Sequence, residues 1–360
     1  MTVRRLALLV LASAAAIAGA AASAAAQWRI TGAASASDAK FAEFFDQYSR
    51  RAVAVGPLPR EQTLEFARQL RRAGPPWAGP REAPDTARRR LVLATIAVDF
   101  VNQNFEHAWG PGFSGELIEW ACDLLRSTPP AQPERTWHLA AVIVMQRASA
   151  YHLLRGRVAM DRDTAVTTHL EHAERRFPGD DEWALARAVD AEHAMWPPPM
   201  DEDILRAHPD LENRFRTALR RALDAPAVRQ EAHLRWAYFH SRRGRWDEAL
   251  DEYDLVGHPA DPVLRYWLHL LRGRTLTRLK RPADALASYR KALDEFPSAQ
   301  AAAFALSAAL VADGQAGEAR ELVTRVLTSP QPVDPWRTYG APATRHWPRI
   351  YGELRKAIAP

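Results

Sequence analysis

The 360-residue chain has one cysteine, Cys122. A single thiol cannot close an internal disulfide, so packing must hold the fold. Cys122 lies in Glu119-Trp120-Ala121-Cys122-Asp123-Leu124-Leu125, a helical run in which it reads as a small buried hydrophobe. Lysine is nearly absent, occurring only at Lys40, Lys280, Lys291 and Lys356, and Asn is scarce. Arginine supplies the rest of the positive charge, a bias that GC-rich coding explains. The net charge of +5 is small for this length, and two of the basic residues, Arg4 and Arg5, stand at the extreme N-terminus. No concentrated basic face emerges, so nucleic acid is not an expected partner. Alternation of apolar and polar residues between turn signals is missing, which excludes a sheet. Missing too are a Gly-rich phosphate loop, a Gly-x-Ser-x-Gly elbow, a Cys-x-x-Cys-His haem site, a His-Glu-x-x-His zinc motif and the Glu-x-x-His pairs of helical di-iron sites. The nearest approach to a metal set is His169-Leu170-Glu171-His172, with His193 after Glu192 on the next helix. These read as surface histidines on adjoining helices. No catalytic residue, metal or cofactor is expected.

What is present is ordinary for a folded protein, with 47% hydrophobic and 25% charged residues. Residues 1–26 have the three parts of a secretory signal: Arg4 and Arg5, an apolar stretch from Leu6 to Ile17, and small residues ending in Ala24-Ala25-Ala26. The arginine pair hints at twin-arginine export, although Thr2-Val3 is not its usual lead-in. Cleavage before Gln27 is expected, leaving a periplasmic or secreted chain; the alternative is retention of residues 6–26 as an anchor. No later run reaches the ~18 apolar residues a spanning helix needs, so no stable membrane insertion is expected after cleavage.

From about residue 36 one helical pattern follows another. Proline and glycine break it at 74–84, around Gly110-Pro111-Gly112, at Pro129, Pro130 and Pro133, and at Pro197-Pro198-Pro199. The periodicity predicts helices near 85–106, 114–127, 134–156, 162–176, 181–195, 209–223 and 227–243. The fold class is all-α. Acidic residues Asp161, Asp163, Asp180, Asp181 and Glu182 fall at helix starts, where they complement the helix dipole and cap free N–H groups. Trp120, Trp137, Trp183, Trp236, Trp246 and Trp267 sit at or beside helical cores as large knobs between helices.

Internal periodicity is the most informative feature. Ala249, Ala285 and Ala319 align at spacings of 36 and 34 residues. Around them recur Ala237, Gly244, Trp246 and Tyr253; then Gly273, Tyr289, Ala292 and Pro297; then Leu306, Ser307, Leu310 and Gly314. Small residues let two helices of a hairpin approach, large ones fill the gap to the next hairpin, and Gly or Pro ends each helix. Over about residues 230–331 this pattern resembles the tetratricopeptide repeat (TPR) family. Departures are Lys280 and Pro282 at the middle turn, and Ala303, Val323 and Val326 in the last unit. The expected organisation is a signal at 1–26, an N-terminal helical domain at 27–130, degenerate hairpin repeats at 131–229, TPR-like repeats at 230–331, and a C-terminal region at 332–360 whose helix near 344–358 caps the stack.

The resemblance implies a superhelix in which first helices of successive hairpins line a groove. Tyr238, Arg242, Trp267, Arg274 and Arg278 would point into it. An aromatic and basic groove suits a protein partner offering an extended acidic peptide, because Arg forks onto carboxylates. The last unit offers an apolar wall, Ala301, Phe304, Ala308 and Val311. The expected function is therefore that of an exported, non-enzymatic scaffold for protein–protein interaction in the bacterial envelope. Two alternatives stand beside it. One is an exported helical toroid acting on polysaccharide, which would need two carboxylates about 5–9 Å apart across a cleft. The other is an adaptor folded only within a complex, with the Pro-rich loop at 74–84 as a contact arm.

Overall fold

The computed structural model describes residues 160–195, 210–328 and 334–339, together with helical positions 135, 137–139, 141 and 142. The signal, the domain at 27–130 with Cys122 and Trp120, the loop at 74–84 and the capping helix expected near 344–358 lie outside the described residues. Among those described there is no strand. The helices are α1 (Met160–Arg176), α2 (Asp181–Met195), α3 (Asp210–Asp224), α4 (Arg229–Arg242), α5 (Trp246–Val256), α6 (Pro262–Arg278), α7 (Pro282–Glu295), α8 (Gln300–Ala312) and α9 (Ala316–Thr328), followed by one 3-10 turn, Pro335–Thr338. Consecutive helices of the described residues pack in pairs, α2 with α3, α4 with α5, α6 with α7 and α8 with α9, the last three pairs joined as hairpins by short turns. Each leans on the next through α3–α4, α5–α6 and α7–α8, and the first helices α4, α6 and α8 touch in succession.

The repeat's aligned positions do the packing predicted of them. Ala249, Ala285 and Ala319 are all buried. Gly273 on α6 faces Tyr289 on α7 so closely that a Cβ would come within 2.5 Å of the ring. The Tyr289 hydroxyl lies 3.0 Å from Thr277 Oγ1 across the same hairpin. Between hairpins, small hydroxyls serve: Ser241 Oγ on α4 and Thr275 Oγ1 on α6 are 3.0 Å apart and buried. Around these contacts one apolar core runs from Leu234 through Leu270 and Leu310 to Val326, each fully buried leucine contributing about 1.5–3 kcal/mol.

The turns inside the hairpins repeat as closely. The N–H of Arg245, Arg281 and Gln315 reaches back to the carbonyl of His240, Leu276 and Leu310 at 3.0, 3.0 and 2.8 Å. This closure requires a left-handed residue just before each donor. Gly244 (φ 72°) and Gly314 (φ 80°) meet that need, and Lys280 adopts it at φ 56° without being glycine. The departure noted at Lys280 is thus a strained residue in an unchanged turn. Between hairpins, the Asp261 carboxylate caps α6 by accepting from Val263 N at 2.8 Å, with Pro262 opening the helix.

The caps expected at Asp180–Glu182 are present in part. Asp180 Oδ1 accepts from Glu182 N at 3.1 Å, and Asp181 Oδ2 accepts from Ala227 N at 3.1 Å. Asp180 and Glu182 are also both bound by Arg135, at 2.5 and 2.6 Å. Asp161 and Asp163 fall in the first turn of α1. Trp137, Trp183 and Trp267 are fully buried, whereas Trp236 and Trp246 are half-buried.

Candidate functional site

On α4, Glu231, Arg235, Tyr238 and Arg242 share one stripe at helical spacing; on α6, Trp267, Arg274 and Arg278 share another. The structure brings Tyr238, Trp267 and Arg274 together, with Arg242 beside Tyr238, and shows what covers them: the chain's own residues 334–339. Trp267 therefore does not face an open groove. Its ring is fully buried, and its indole Nε1 donates to the Pro335 carbonyl at 2.9 Å. Trp336 stacks beneath the Arg274 guanidinium, 4.6 Å from ring centroid to Cζ, and meets Tyr238 edge-on at 6.0 Å. Arg242 donates to the Tyr238 hydroxyl at 3.2 Å. Arg278, at the end of α6, is exposed.

Asp334 and Tyr339 anchor the two ends of this segment. Asp334 Oδ1 caps the 3-10 turn by accepting from Trp336 N at 2.8 Å and also accepts from the Tyr266 hydroxyl at 2.9 Å. Asp334 Oδ2 accepts from Ala301 N at 2.6 Å. One buried carboxylate thus ties α6 to the first turn of α8. Burial, followed by the charge of Asp334, pushes the Tyr266 phenol well above its ordinary range. The Tyr339 ring meets Tyr238 and Trp267 edge-on, each at 5.3 Å. The Arg235 guanidinium lies over it at 4.5 Å.

Beneath Tyr339 lies a buried ionic cluster. Arg235, 0% exposed, donates to Glu192 Oε2 at 2.6 Å, to Glu231 Oε1 at 2.7 Å and to the Tyr339 carbonyl at 2.9 Å. The Tyr339 hydroxyl donates to Glu192 Oε1 at 2.9 Å, 147 residues away in sequence. Two carboxylates share one guanidinium out of water. Burial works against the charge on Arg235, but Glu231 and Glu192 outweigh it and hold the group ionised. Burial raises Glu192 despite the pull of Arg235. Burial and the Glu192 charge raise the Tyr339 phenol well above its usual range. Removing one partner from such a cluster leaves the others uncompensated.

Sequence reasoning placed Tyr238, Arg242, Trp267, Arg274 and Arg278 on these faces but did not name Glu231 and Arg235 of the same α4 stripe, nor Tyr266 of α6 and Glu192 of α2, which also meet this region. Glu231 and Arg235 form an i,i+4 pair that reads as a solvated helix face. The available signal was their place on the stripe of Tyr238 and Arg242. For 334–339 it was an Asp-Pro-Trp run followed by Tyr339, placed after the last repeat helix. The occupant seen is the chain's own Asp334 followed by a single 3-10 turn.

Elsewhere, His138 lies against His172 and His169, at ring-centroid distances of 4.8 and 5.8 Å. Burial and the neighbouring His172 lower the His169 pKa. Among the described residues no group of three or more His, Cys, Asp or Glu is arranged to hold a metal ion. Among them, too, no helix is long and apolar enough to cross a membrane.

The arrangement matches a known repeat. Residues 276–334 fit the model of the tetratricopeptide repeat family. The match starts near the end of α6 and runs through α9 to Asp334; hairpin α4/α5 and most of α6 lie upstream of it with the same turn closure and buried alanines. No curated protein matches the chain.

Proposed function

From a C-terminal region of the tetratricopeptide repeat family, whose repeats generally mediate protein–protein interaction, we propose that this chain is an exported, non-enzymatic scaffold that docks another protein in the bacterial envelope. The observation that carries the reading is the stripe on α4 and α6 that already holds a peptide segment. It does so with a carboxylate-binding end formed by Tyr266 and Ala301, a cation over an aromatic ring, and side-chain donors to two backbone carbonyls. These are the contacts of peptide recognition. A non-enzymatic role is supported by the typically non-catalytic character of the family. The signal-like residues 1–26 support export.

Two experiments test the parts separately. Expression of the full chain with a C-terminal tag, cell fractionation and N-terminal sequencing test export; the expected product starts at Gln27 in the periplasm or medium, and a cytoplasmic product starting at Met1 contradicts it. Affinity capture from envelope extract tests the scaffold, with the wild-type chain beside Arg242→Glu/Arg274→Glu/Arg278→Glu. These side chains are part-exposed or exposed, so both baits should show the same helical circular dichroism. A protein held by the wild type and lost by the variant supports the site. Polysaccharide turnover by the wild type without any captured protein would replace this reading with the enzymatic one.

A further inference from the structure

We propose that residues 334–339 are an internal ligand of the α4–α6–α8 face, and that the partner is a short peptide of the same chemistry that docks by displacing them. This rests on the scaffold reading and specifies its ligand: an acidic residue capping one helical turn, an aromatic ring two positions on, and a tyrosine five positions on.

The contacts define that pattern residue by residue. The acid is required because Tyr266 OH and Ala301 N both donate to Asp334. In a 3-10 turn residues three apart eclipse, so Trp336 and Tyr339 share a face and stack on each other at 5.1 Å. That face meets Arg274, Tyr238 and Trp267. The tyrosine is required as such, because its phenol satisfies Glu192 while its carbonyl satisfies Arg235. A phenylalanine there would leave a buried carboxylate oxygen short of a donor.

The hairpins do not depend on the segment for their mutual packing. α4 touches α6, and α6 touches α8, directly. Ser241–Thr275 joins α4 to α6, and Gly273–Tyr289 with the buried alanines closes the hairpins internally, all without the segment. Once the segment leaves, Arg235 keeps its bonds to Glu192 and Glu231, so the cluster retains its own ion pairs in an open state. The segment follows α9 after only a short stretch of chain, and a tether of this kind acts at an effective concentration on the order of millimolar. The apparent affinity for a partner peptide is therefore scaled down by the fraction of chains that are open.

The test uses a fluorescein-labelled peptide of residues 331–340 as the probe and the full chain as receptor. The chain carrying Asp334→Ala/Trp336→Ala/Tyr339→Ala should bind the probe at least about tenfold tighter than the wild type, the tether no longer competing. Adding Tyr238→Ala and Arg274→Glu should abolish that gain. Hydrogen exchange of the wild-type chain supplies an independent readout: the amides of Trp336 and Tyr339 should exchange at least about a hundredfold faster than those of Leu270 and Leu271, as expected of a segment that opens locally. A folded released variant that binds the probe no better than wild type overturns the proposal. So does a released variant that fails to fold, or exchange at 336 and 339 as slow as in the α6 core, since either makes the segment a permanent part of the fold. Partner capture without any gain in probe binding would sink this inference and leave the scaffold reading intact; a probe gain with no captured partner would do the reverse.

Discussion

Hairpins α6/α7 and α8/α9 are built on one register, with Ala285 and Ala319 buried 34 residues apart and the same turn closure in each. Their outer faces differ completely. On α6, Trp267 is fully buried beneath Pro335 and Tyr339. On α8, Phe304 and Val311, seven residues apart on one stripe, are 48% and 57% exposed. The repeat alone does not decide which face is covered; the path of the chain after α9 does. Asp334 grips only the first turn of α8, through Ala301 N, and the segment then runs toward α4 and α2, where Tyr339 meets Arg235 and Glu192. Among the described residues, nothing covers Phe304 and Val311 farther along α8 as Pro335 and Tyr339 cover Trp267.

The largest effect expected from breaking the covered side is that of Arg235→Ala. It strands two buried carboxylates and should cost about 3–5 kcal/mol in urea unfolding. A cost below about 1 kcal/mol, the range of a solvated pair, would mean that the cluster is not assembled. Next comes the hairpin interior, where the two units can be compared at one aligned position. Gly273→Ala drives a methyl into the Tyr289 ring and should cost about 1–3 kcal/mol. The aligned Ser307→Ala on α8, with Val323 opposite in place of an aromatic, should change stability by less than about 0.5 kcal/mol. Equal costs at the two sites would erase the distinction.

The turns sharpen the comparison further. Lys280→Gly relieves a left-handed non-glycine residue and should stabilise by about 1 kcal/mol, while Gly314→Ala should destabilise by a similar amount. Thermal melts of the two variants check the opposite signs. A pH slope is expected from Glu192, whose pKa is raised in the fold by burial. The folded chain then holds a proton that the unfolded chain releases near pH 4.3–4.5, the ordinary range for Glu at about 4.3. Stability contributed by this group is present below that pH and is lost as pH rises toward the folded value. Wild type should therefore lose stability relative to Glu192→Gln as pH rises from about 4.5; a flat difference across that window would refute it. The smallest effect belongs to the open face. Phe304→Ser/Val311→Ser should shift stability by no more than about 0.5 kcal/mol in urea unfolding; a clearly larger loss would mean that this face is covered.

Much of the helical frame was legible in the sequence. Predicted helices at 162–176, 181–195, 209–223 and 227–243 fall within two residues of α1, α2, α3 and α4, because amphipathic period and Gly or Pro punctuation are local signals. The 34-residue phase was legible for the same reason, and it correctly placed Ala249, Ala285, Ala319, Gly273 and Tyr289. The groove was half legible. The stripe positions of Tyr238, Arg242, Trp267, Arg274 and Arg278 followed from the repeat, but the cover over Trp267 did not. Nothing local in Tyr339 points to Glu192, 147 residues earlier, and Arg235 in an i,i+4 pair with Glu231 looks the same in sequence whether water or an aromatic ring lies above it.

The most direct test of the covered face is a double-mutant cycle between those two distant residues. Glu192→Gln and Tyr339→Phe, singly and together, would be measured by urea unfolding in the full chain. Contact in the fold predicts a coupling of about 1 kcal/mol or more between them; additivity within about 0.3 kcal/mol would show that Tyr339 does not sit on the Glu192–Arg235 cluster and that the face is open.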